Sequence, residues 1–79
     1  MSVKVLFLGR LSAMVAPERD YPAPLNWQYL LDSLPEEARA LVAGEKVRVA
    51  LDGALLADKT SLIAQNGAEV ALLPPVSGG

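Results

Sequence analysis

The chain has 79 residues, of which 52% are hydrophobic and 20% charged, and its net charge at neutral pH is −2. A chain of this size holds one domain with one modest core, and its hydrophobic content is typical of a sequence that folds. It contains no cysteine and no histidine, which excludes a disulfide framework, a cysteine-based metal site, a thiol nucleophile and the commonest general base.

Neither the charge nor the hydropathy pattern points to a nucleic acid or a membrane. Basic and acidic residues are scattered along the chain, so we expect no nucleic-acid partner. The first apolar run, residues 5–9, ends at Arg10 and is too short for a signal peptide. No stretch approaches the length of a membrane span, and we expect a cytoplasmic protein.

Residues 3–8 alternate as a first strand, and Lys4 marks the solvent-facing side, which it shares with Leu6 and Leu8. The inner side holds Val3, Val5 and Phe7. Prolines interrupt residues 9–24, so we predict only a short edge strand near residues 19–21. The apolar residues of this segment that we expect to cover the sheet are Leu11, Met14 and Val15.

Two helices are predicted next. Asn26 is a good N-cap for a main helix, because an apolar stripe follows it at helical spacing. The stripe consists of Trp27, Leu30, Leu31 and Leu34. Pro35, followed by Glu36 and Glu37, predicts a second, short helix that ends at Gly44. Adjacent carboxylates on a helix do not converge, so this pair is interpreted as a solvated first turn and not an acid–base site.

The C-terminal half predicts strands separated by tight turns. Residues 47–52 alternate, with an Asp-Gly turn at residues 52–53 and a short return strand at residues 54–56. A second turn at residues 66–67 precedes a last strand over residues 69–73. The residues predicted to face inward are Val47, Val49, Leu51, Val70 and Leu72.

This order of elements predicts an α+β fold, the ubiquitin-like β-grasp, in which a mixed sheet curls around one main helix. A ferredoxin-like arrangement would need a second long helix before the last strand, and residues 60–67 are too few for one. We therefore predict a β-grasp domain over residues 1–73 and a flexible C-terminal tail over residues 74–79.

Apolar residues on the outer side of the predicted sheet suggest a docking surface. They are Leu6, Leu8, Ala50, Leu55 and Leu73. Single exposed hydrophobic residues are ordinary, but a cluster beside the start of the tail indicates a partner-binding patch. Lys4, Arg48 and Glu69 would form its charged rim.

The residues of the tail favour a narrow, extended segment. Pro74 and Pro75 lack amide donors and would end the last strand and stiffen the chain beyond it. Gly78 and Gly79 carry no side chain, so the end of the chain suits a narrow channel. Six residues span at most about 20 Å when extended. The alternative is an ordinary frayed terminus.

Three segments resemble the small subunits of molybdopterin synthase, ubiquitin-like sulfur carriers of the MoaD/ThiS family. They are Lys-Val-Leu-Phe-Leu at residues 4–8, Leu-Asp-Gly at residues 51–53, and Gly-Ala-Glu-Val-Ala-Leu-Leu-Pro-Pro-Val-Ser-Gly-Gly at residues 67–79. The chain departs from that family at residues 12–13, where Ser-Ala replaces the frequent Arg-Glu, and at residues 66–69.

The resemblance implies a carrier whose own chain binds no cofactor and whose catalytic groups come from partners. An E1-like adenylyltransferase would use ATP to adenylate Gly79, and a sulfur donor would convert the adenylate to a thiocarboxylate. The large synthase subunit would then pass the sulfur to cyclic pyranopterin monophosphate, and the large and small subunits would form a heterotetramer. The tail residues serving this transfer would be Pro74, Pro75, Val76, Ser77 and Gly78.

Two kinds of alternative stay open. A sulfur carrier for thiamine, tRNA thiolation or cysteine synthesis would share the fold, the Gly-Gly end and the chemistry, although the proline pair favours the molybdopterin branch. A ubiquitin-like module that only binds would not need a free Gly-Gly end. An autonomous enzyme is disfavoured by the missing catalytic side chains.

Overall fold

The structure is a computed structural model that describes residues 1–75. In this part of the chain, seven strands, three α-helices and one 3-10 turn follow one another. The elements are β1 (Ser2–Phe7), α1 (Arg10–Met14), β2 (Glu18–Pro22), β3 (Leu25–Asn26), α2 (Trp27–Asp32), α3 (Glu36–Ala43), β4 (Arg48–Leu51), β5 (Ala54–Leu55), the 3-10 turn (Lys59–Ser61), β6 (Ile63–Ala64) and β7 (Glu69–Leu73).

Five strands form one mixed sheet in the order β2-β1-β7-β4-β5. The first and last strands, β1 and β7, pair in parallel, whereas β1–β2, β4–β7 and β4–β5 are antiparallel. The short strands β3 and β6 form a separate two-stranded sheet. This is the predicted β-grasp, and the last strand has the predicted bounds.

One apolar core lies between the inner face of the main sheet and the helices. Its buried members are Val3, Val5, Phe7, Leu11, Tyr21, Leu25, Leu30, Leu34, Ala38, Val42, Val47, Val49, Leu62, Ala64, Val70 and Leu72. The predicted core residues Trp27, Leu31 and Leu51 are half-buried and pack against this cluster. The alternation in the strands is therefore confirmed, because a slip of one residue would have exposed the whole inner face.

Both predicted helices are present, but the first is short. Asn26 caps α2, its Oδ1 accepting a hydrogen bond from the Tyr29 amide at 2.8 Å. The helix ends at Asp32, so Leu34 lies beyond it. Leu34 is buried as part of the connection to α3 and not as a member of the helical stripe. Arg39 fixes this connection by donating to the carbonyls of Leu31 and Leu34 at 3.1 Å.

Two features were not predicted. Helix α1 occupies part of the proline-interrupted segment and buries Leu11. The β3–β6 pair joins Leu25 to Ala64, residues far apart in sequence. Neither has enough residues to show a period, so only tertiary contact reveals them. None of the helices within residues 1–75 is long and apolar enough to span a membrane.

Lys59 ties the end of α3 to the start of β4. Its ammonium donates to the carbonyls of Val42 and Val47 at 2.8 Å and also to that of Gly44. The Trp27 ring centroid lies 5.8 Å from the same nitrogen. Burial lowers the pKa of Lys59, and the charge of Glu45 partly offsets this effect. The ammonium thus donates to two carbonyls at the end of α3, which the helix end leaves without helical partners, and to a third carbonyl just before β4.

We predict that Lys59→Met lowers the free energy of unfolding by about 1–3 kcal/mol, because the aliphatic stem is kept while three carbonyls lose a charged donor. Urea unfolding followed by circular dichroism measures the loss. Lys46→Met, at an exposed position in the adjoining turn, is the control and should change stability by less than about 0.5 kcal/mol. Equal stability of the two variants would contradict the bridging role.

Candidate functional site

A row of apolar residues crosses the outer face of the main sheet. Leu6 of β1 pairs with Ala71 of β7, Ala71 pairs with Ala50 of β4, and Ala50 pairs with Leu55 of β5. The four positions belong to one register line, so their side chains share one face of the pleat. Because the core and the helices occupy the opposite face, this row has no covering element within residues 1–75.

The next row toward the C-terminus adds two leucines. Leu73 pairs with Arg48, and the Leu8 amide donates to the Leu72 carbonyl at 3.2 Å, which extends the β1–β7 register to Leu8 and Leu73. Leu8 is 39% exposed and Leu55 is 57% exposed, whereas Leu6 and Leu73 are half-buried. We call the set Leu6, Leu8, Leu55, Ala71 and Leu73 the outer apolar face.

Ala50 is more buried than a member of the predicted docking patch should be. The alternation places it on the outer side, as predicted, but it is only 8% exposed and is not part of the core cluster. Its small side chain lies in the middle of the register row, between Ala71 and Leu55, and these neighbours shield it. Ala50 therefore offers a partner little surface.

Charged residues of both signs surround the outer apolar face. Lys4 pairs with Glu69 across the parallel strands and makes an ion pair with Glu18, with Nζ 3.5 Å from Oε2. Arg48 lies opposite Leu73. Lys4, Glu69 and Arg48 therefore lie beside the apolar residues, at the positions expected for a charged rim.

The root of the tail adjoins this face. β7 ends at Leu73, and Pro74, which has no amide hydrogen, follows it as predicted. Pro74 is half-buried and Pro75 is exposed. A Cβ added to Gly9 would lie 2.8 Å from Pro74 Cγ, so the proline ring sits directly against the glycine backbone. The predicted tail residues Val76, Ser77, Gly78 and Gly79 lie outside the described residues.

Asp58 and Lys59, the two titratable groups with a shifted pKa in the described part of the chain, both have structural roles. The Thr60 side chain and amide hydrogen-bond to Asp58 and hold the pKa of that carboxyl below its usual range. Asp58 thereby caps the 3-10 turn, and Lys59 bridges α3 and β4. Within residues 1–75, no group of three or more histidine, cysteine, aspartate or glutamate residues is placed to hold a metal ion.

Sequence reasoning missed two members of this region. Ala71 was not included in the predicted patch, and the register shows that it links Leu6 to Ala50. Gly9 was passed over. Its signal was a glycine directly after a strand, but the proline that packs on it is 65 residues away and is located only by the β1–β7 pairing.

Comparison with known proteins found one matching family and several similar structures. The sequence model described as the ThiS family matches residues 5–79. The solution structure of small archaeal modifier protein 1 from Methanosarcina acetivorans has a TM-score of 0.77 at 20% identity, covering 99% of this chain and 96% of that chain. The crystal structure of the Haloferax volcanii protein of that name has a TM-score of 0.71 at 22% identity, with both chains fully covered.

A third similar structure is a complex of subunits 1 and 2 of molybdopterin-converting factor from Helicobacter pylori. Its matching chain has a TM-score of 0.66 at 25% identity, and 100% of each chain is covered. A search of curated proteins returned no match. The two archaeal structures, at lower identity, support the fold alone.

A leucine-to-aspartate substitution should destabilise the domain much less on the outer face of β7 than on its inner face. Leu73→Asp should cost about 1 kcal/mol or less, since the new carboxylate is half-exposed and opposite Arg48. Leu72→Asp should cost about 4 kcal/mol or more, because it buries a carboxylate in the core. Urea titration distinguishes them, and a more stable Leu72→Asp variant would show that the two faces are assigned the wrong way round.

Proposed function

The chain belongs to the ThiS family, whose model it matches over residues 5–79, and on this premise we propose that it is the sulfur-carrying small subunit of molybdopterin synthase. The observation that carries the proposal is that the family match runs through the Gly-Gly end of the chain. The Leu-Leu-Pro-Pro-Val-Ser-Gly-Gly ending and the 25% identity to a molybdopterin-converting factor chain support the molybdopterin branch.

The reacting atom in this proposal is the carboxyl carbon of Gly79. At neutral pH a terminal carboxylate is an unreactive anion, because its pKa is about 3.5. An E1-like adenylyltransferase in the cytoplasm attaches AMP from ATP to one carboxylate oxygen and releases pyrophosphate. A sulfur donor at the sulfide level then attacks the carbonyl carbon, AMP leaves with the former carboxylate oxygen, and a thiocarboxylate remains. The carrier supplies the acyl group, and the partners supply the acids, bases and ATP site.

The thiocarboxylate delivers its sulfur in the active site of the large synthase subunit. There, cyclic pyranopterin monophosphate accepts two sulfurs in succession, so each molybdopterin needs two carrier turnovers. In the Helicobacter pylori structure, subunits 1 and 2 of molybdopterin-converting factor form a complex. By analogy, this chain pairs with a large subunit in a heterotetramer.

The entropic cost of ordering the tail requires a second binding surface, and the outer apolar face is the one we propose. Ordering four non-proline tail residues in a channel costs roughly 4–8 kcal/mol of conformational entropy. The tail alone therefore binds weakly, and the globular domain must supply the affinity. Leu8 and Leu55 are the exposed leucines of this face, and a few well-packed residues near the centre of an interface contribute most of its binding energy.

A docking experiment can use two leucine-sized residues of nearly equal exposure. Leu55 on the outer apolar face is 57% exposed, and Ile63 in the β3–β6 sheet is 59% exposed. We predict that Leu55→Asp weakens binding to the large subunit by about tenfold to a hundredfold. Ile63→Asp should leave the affinity unchanged. Calorimetric titration with the large subunit measures both, after circular dichroism has shown that both variants are folded. Equal losses would remove this face from the proposed interface.

Loading of Gly79 is tested by mass spectrometry. We predict that incubation with ATP, the E1-like enzyme and a sulfur donor adds the mass difference between sulfur and oxygen, located in the C-terminal peptide. One residue appended after Gly79 should abolish this gain, because the carboxylate then overshoots the ATP site. Deletion of Gly78 and Gly79 should leave a folded, partner-binding and inactive chain. Loading of the extended chain at the native rate would refute the carrier role of Gly79.

The acceptor distinguishes the neighbouring functions. A carrier for thiamine, tRNA thiolation or cysteine synthesis would be loaded in the same way, so the mass gain alone does not select among them. Transfer of sulfur to cyclic pyranopterin monophosphate in the presence of the large subunit selects the molybdopterin role. A chain that binds partners and is never loaded would be a binding module.

A further inference from the structure

Gly9 has a backbone conformation that other residues avoid. It joins β1 to α1 with φ 56° and ψ −137°, in the positive-φ region that favours glycine. Its carbonyl accepts two hydrogen bonds from Ser12, from the amide at 3.1 Å and from Oγ at 2.8 Å. The serine is one of the residues at which the chain departs from the family pattern, and here it helps to fix the orientation of the Gly9 peptide.

The missing side chain of Gly9 leaves space that Pro74 fills. A Cβ at Gly9 would stand 2.8 Å from Pro74 Cγ and 3.8 Å from its Cδ. Gly53 and Gly67 also have positive φ, 86° and 85°, yet a Cβ on either would meet nothing within 4 Å. Among these three turn glycines, Gly9 is therefore the one whose substitution affects a neighbour as well as its own backbone.

The contact between Gly9 and Pro74 lies directly after the end of β7, where the strand hydrogen bonding stops. The last hydrogen bond of the parallel pair runs from the Leu8 amide to the Leu72 carbonyl at 3.2 Å. Pro74 has no amide hydrogen with which to continue the ladder. Within residues 1–75, the Pro74 ring lies against the Gly9 backbone directly after the last strand ends.

We propose that Gly9 is a positioning residue for the C-terminus: the flat surface of its backbone receives Pro74 and sets the direction in which the tail leaves, relative to the outer apolar face. This inference rests on the proposed carrier function. A tail of about 20 Å turned by about 20° at its root carries its tip about 7 Å sideways. Since misplacement by about 1 Å can cost a hundredfold in rate, a docked carrier needs a defined exit direction.

The contact is tested by a double-mutant cycle in thermal stability. Gly9→Ala should lower the melting temperature by about 10 °C, through backbone strain and collision with Pro74. Pro74→Ala removes Cγ and Cδ, so it should raise the melting temperature in the Gly9→Ala background but not in the native one. Gly53→Ala is the matched control, because it introduces backbone strain but its Cβ would meet no neighbouring atom. Its effect on the melting temperature should add to that of Pro74→Ala. Additivity in both pairs would overturn the packing role.

The positioning role needs a readout beyond stability. Below the melting temperature of every variant, single-turnover loading is measured with ATP, the E1-like enzyme and sulfide, together with affinity for that enzyme. Gly9→Ala should keep its affinity and lose about tenfold to a hundredfold in the saturated loading rate. The double variant Gly9→Ala with Pro74→Ala should recover part of that rate, and Gly53→Ala should load as the native chain does.

The outcomes separate this inference from the function on which it rests. Equal loading by the Gly9→Ala and Gly53→Ala variants would overturn the positioning role while leaving the carrier function intact. A loss of affinity that accounts for the whole loss of rate would also overturn it. A native chain that never gains sulfur would refute the carrier function and the positioning role together, whereas the thermal cycle would still decide whether the two residues are coupled.

Discussion

The parallel pairing of β1 with β7 is the interaction on which the rest of the structure depends. It brings the two ends of the domain together, and it is supported at its start by hydrogen bonds between Ser2 and the turn at Asn66 and Gly67. The ladder places β7 between β1 and β4, in the centre of the sheet. Such non-local pairing closes a long loop and is entropically costly, so it needs the apolar inner face to stabilise it.

That one ladder also creates the functional region. Because both strands have one buried and one outward side, their outward leucines are brought next to each other and next to the point where the chain leaves the domain. The outer apolar face, the Gly9–Pro74 contact and the start of the tail are three consequences of a single register. In the proposed function, this arrangement would present the C-terminal acyl group to partners that supply the chemistry.

The contacts that stabilise the helices and the proposed docking face lie on opposite sides of the sheet. On the helical side, cationic side chains satisfy the carbonyls at the ends of short helices: Lys59 at the end of α3, and Arg19 and Arg39 after α2. Short helices have little intrinsic stability, so these contacts and the shared core hold them in place. Substitutions on the outer face are therefore expected to have small effects on folding.

By itself, the sequence determined what depends on neighbours along the chain. Alternation identified the faces of β1, β4 and β7, Asn26 marked a helix start, and Asp52-Gly53 and Asn66-Gly67 marked turns, because each is a local steric or hydrogen-bonding preference. The proline and glycine residues of residues 74–79 predicted a tail, of which residues 76–79 lie outside the described part of the chain. Only the tertiary structure decided that Ala50 is shielded, that α1 and the β3–β6 pair exist, and that Pro74 rests on Gly9. These depend on which strands lie side by side, and strand partners distant in sequence leave no periodic signal in either strand alone.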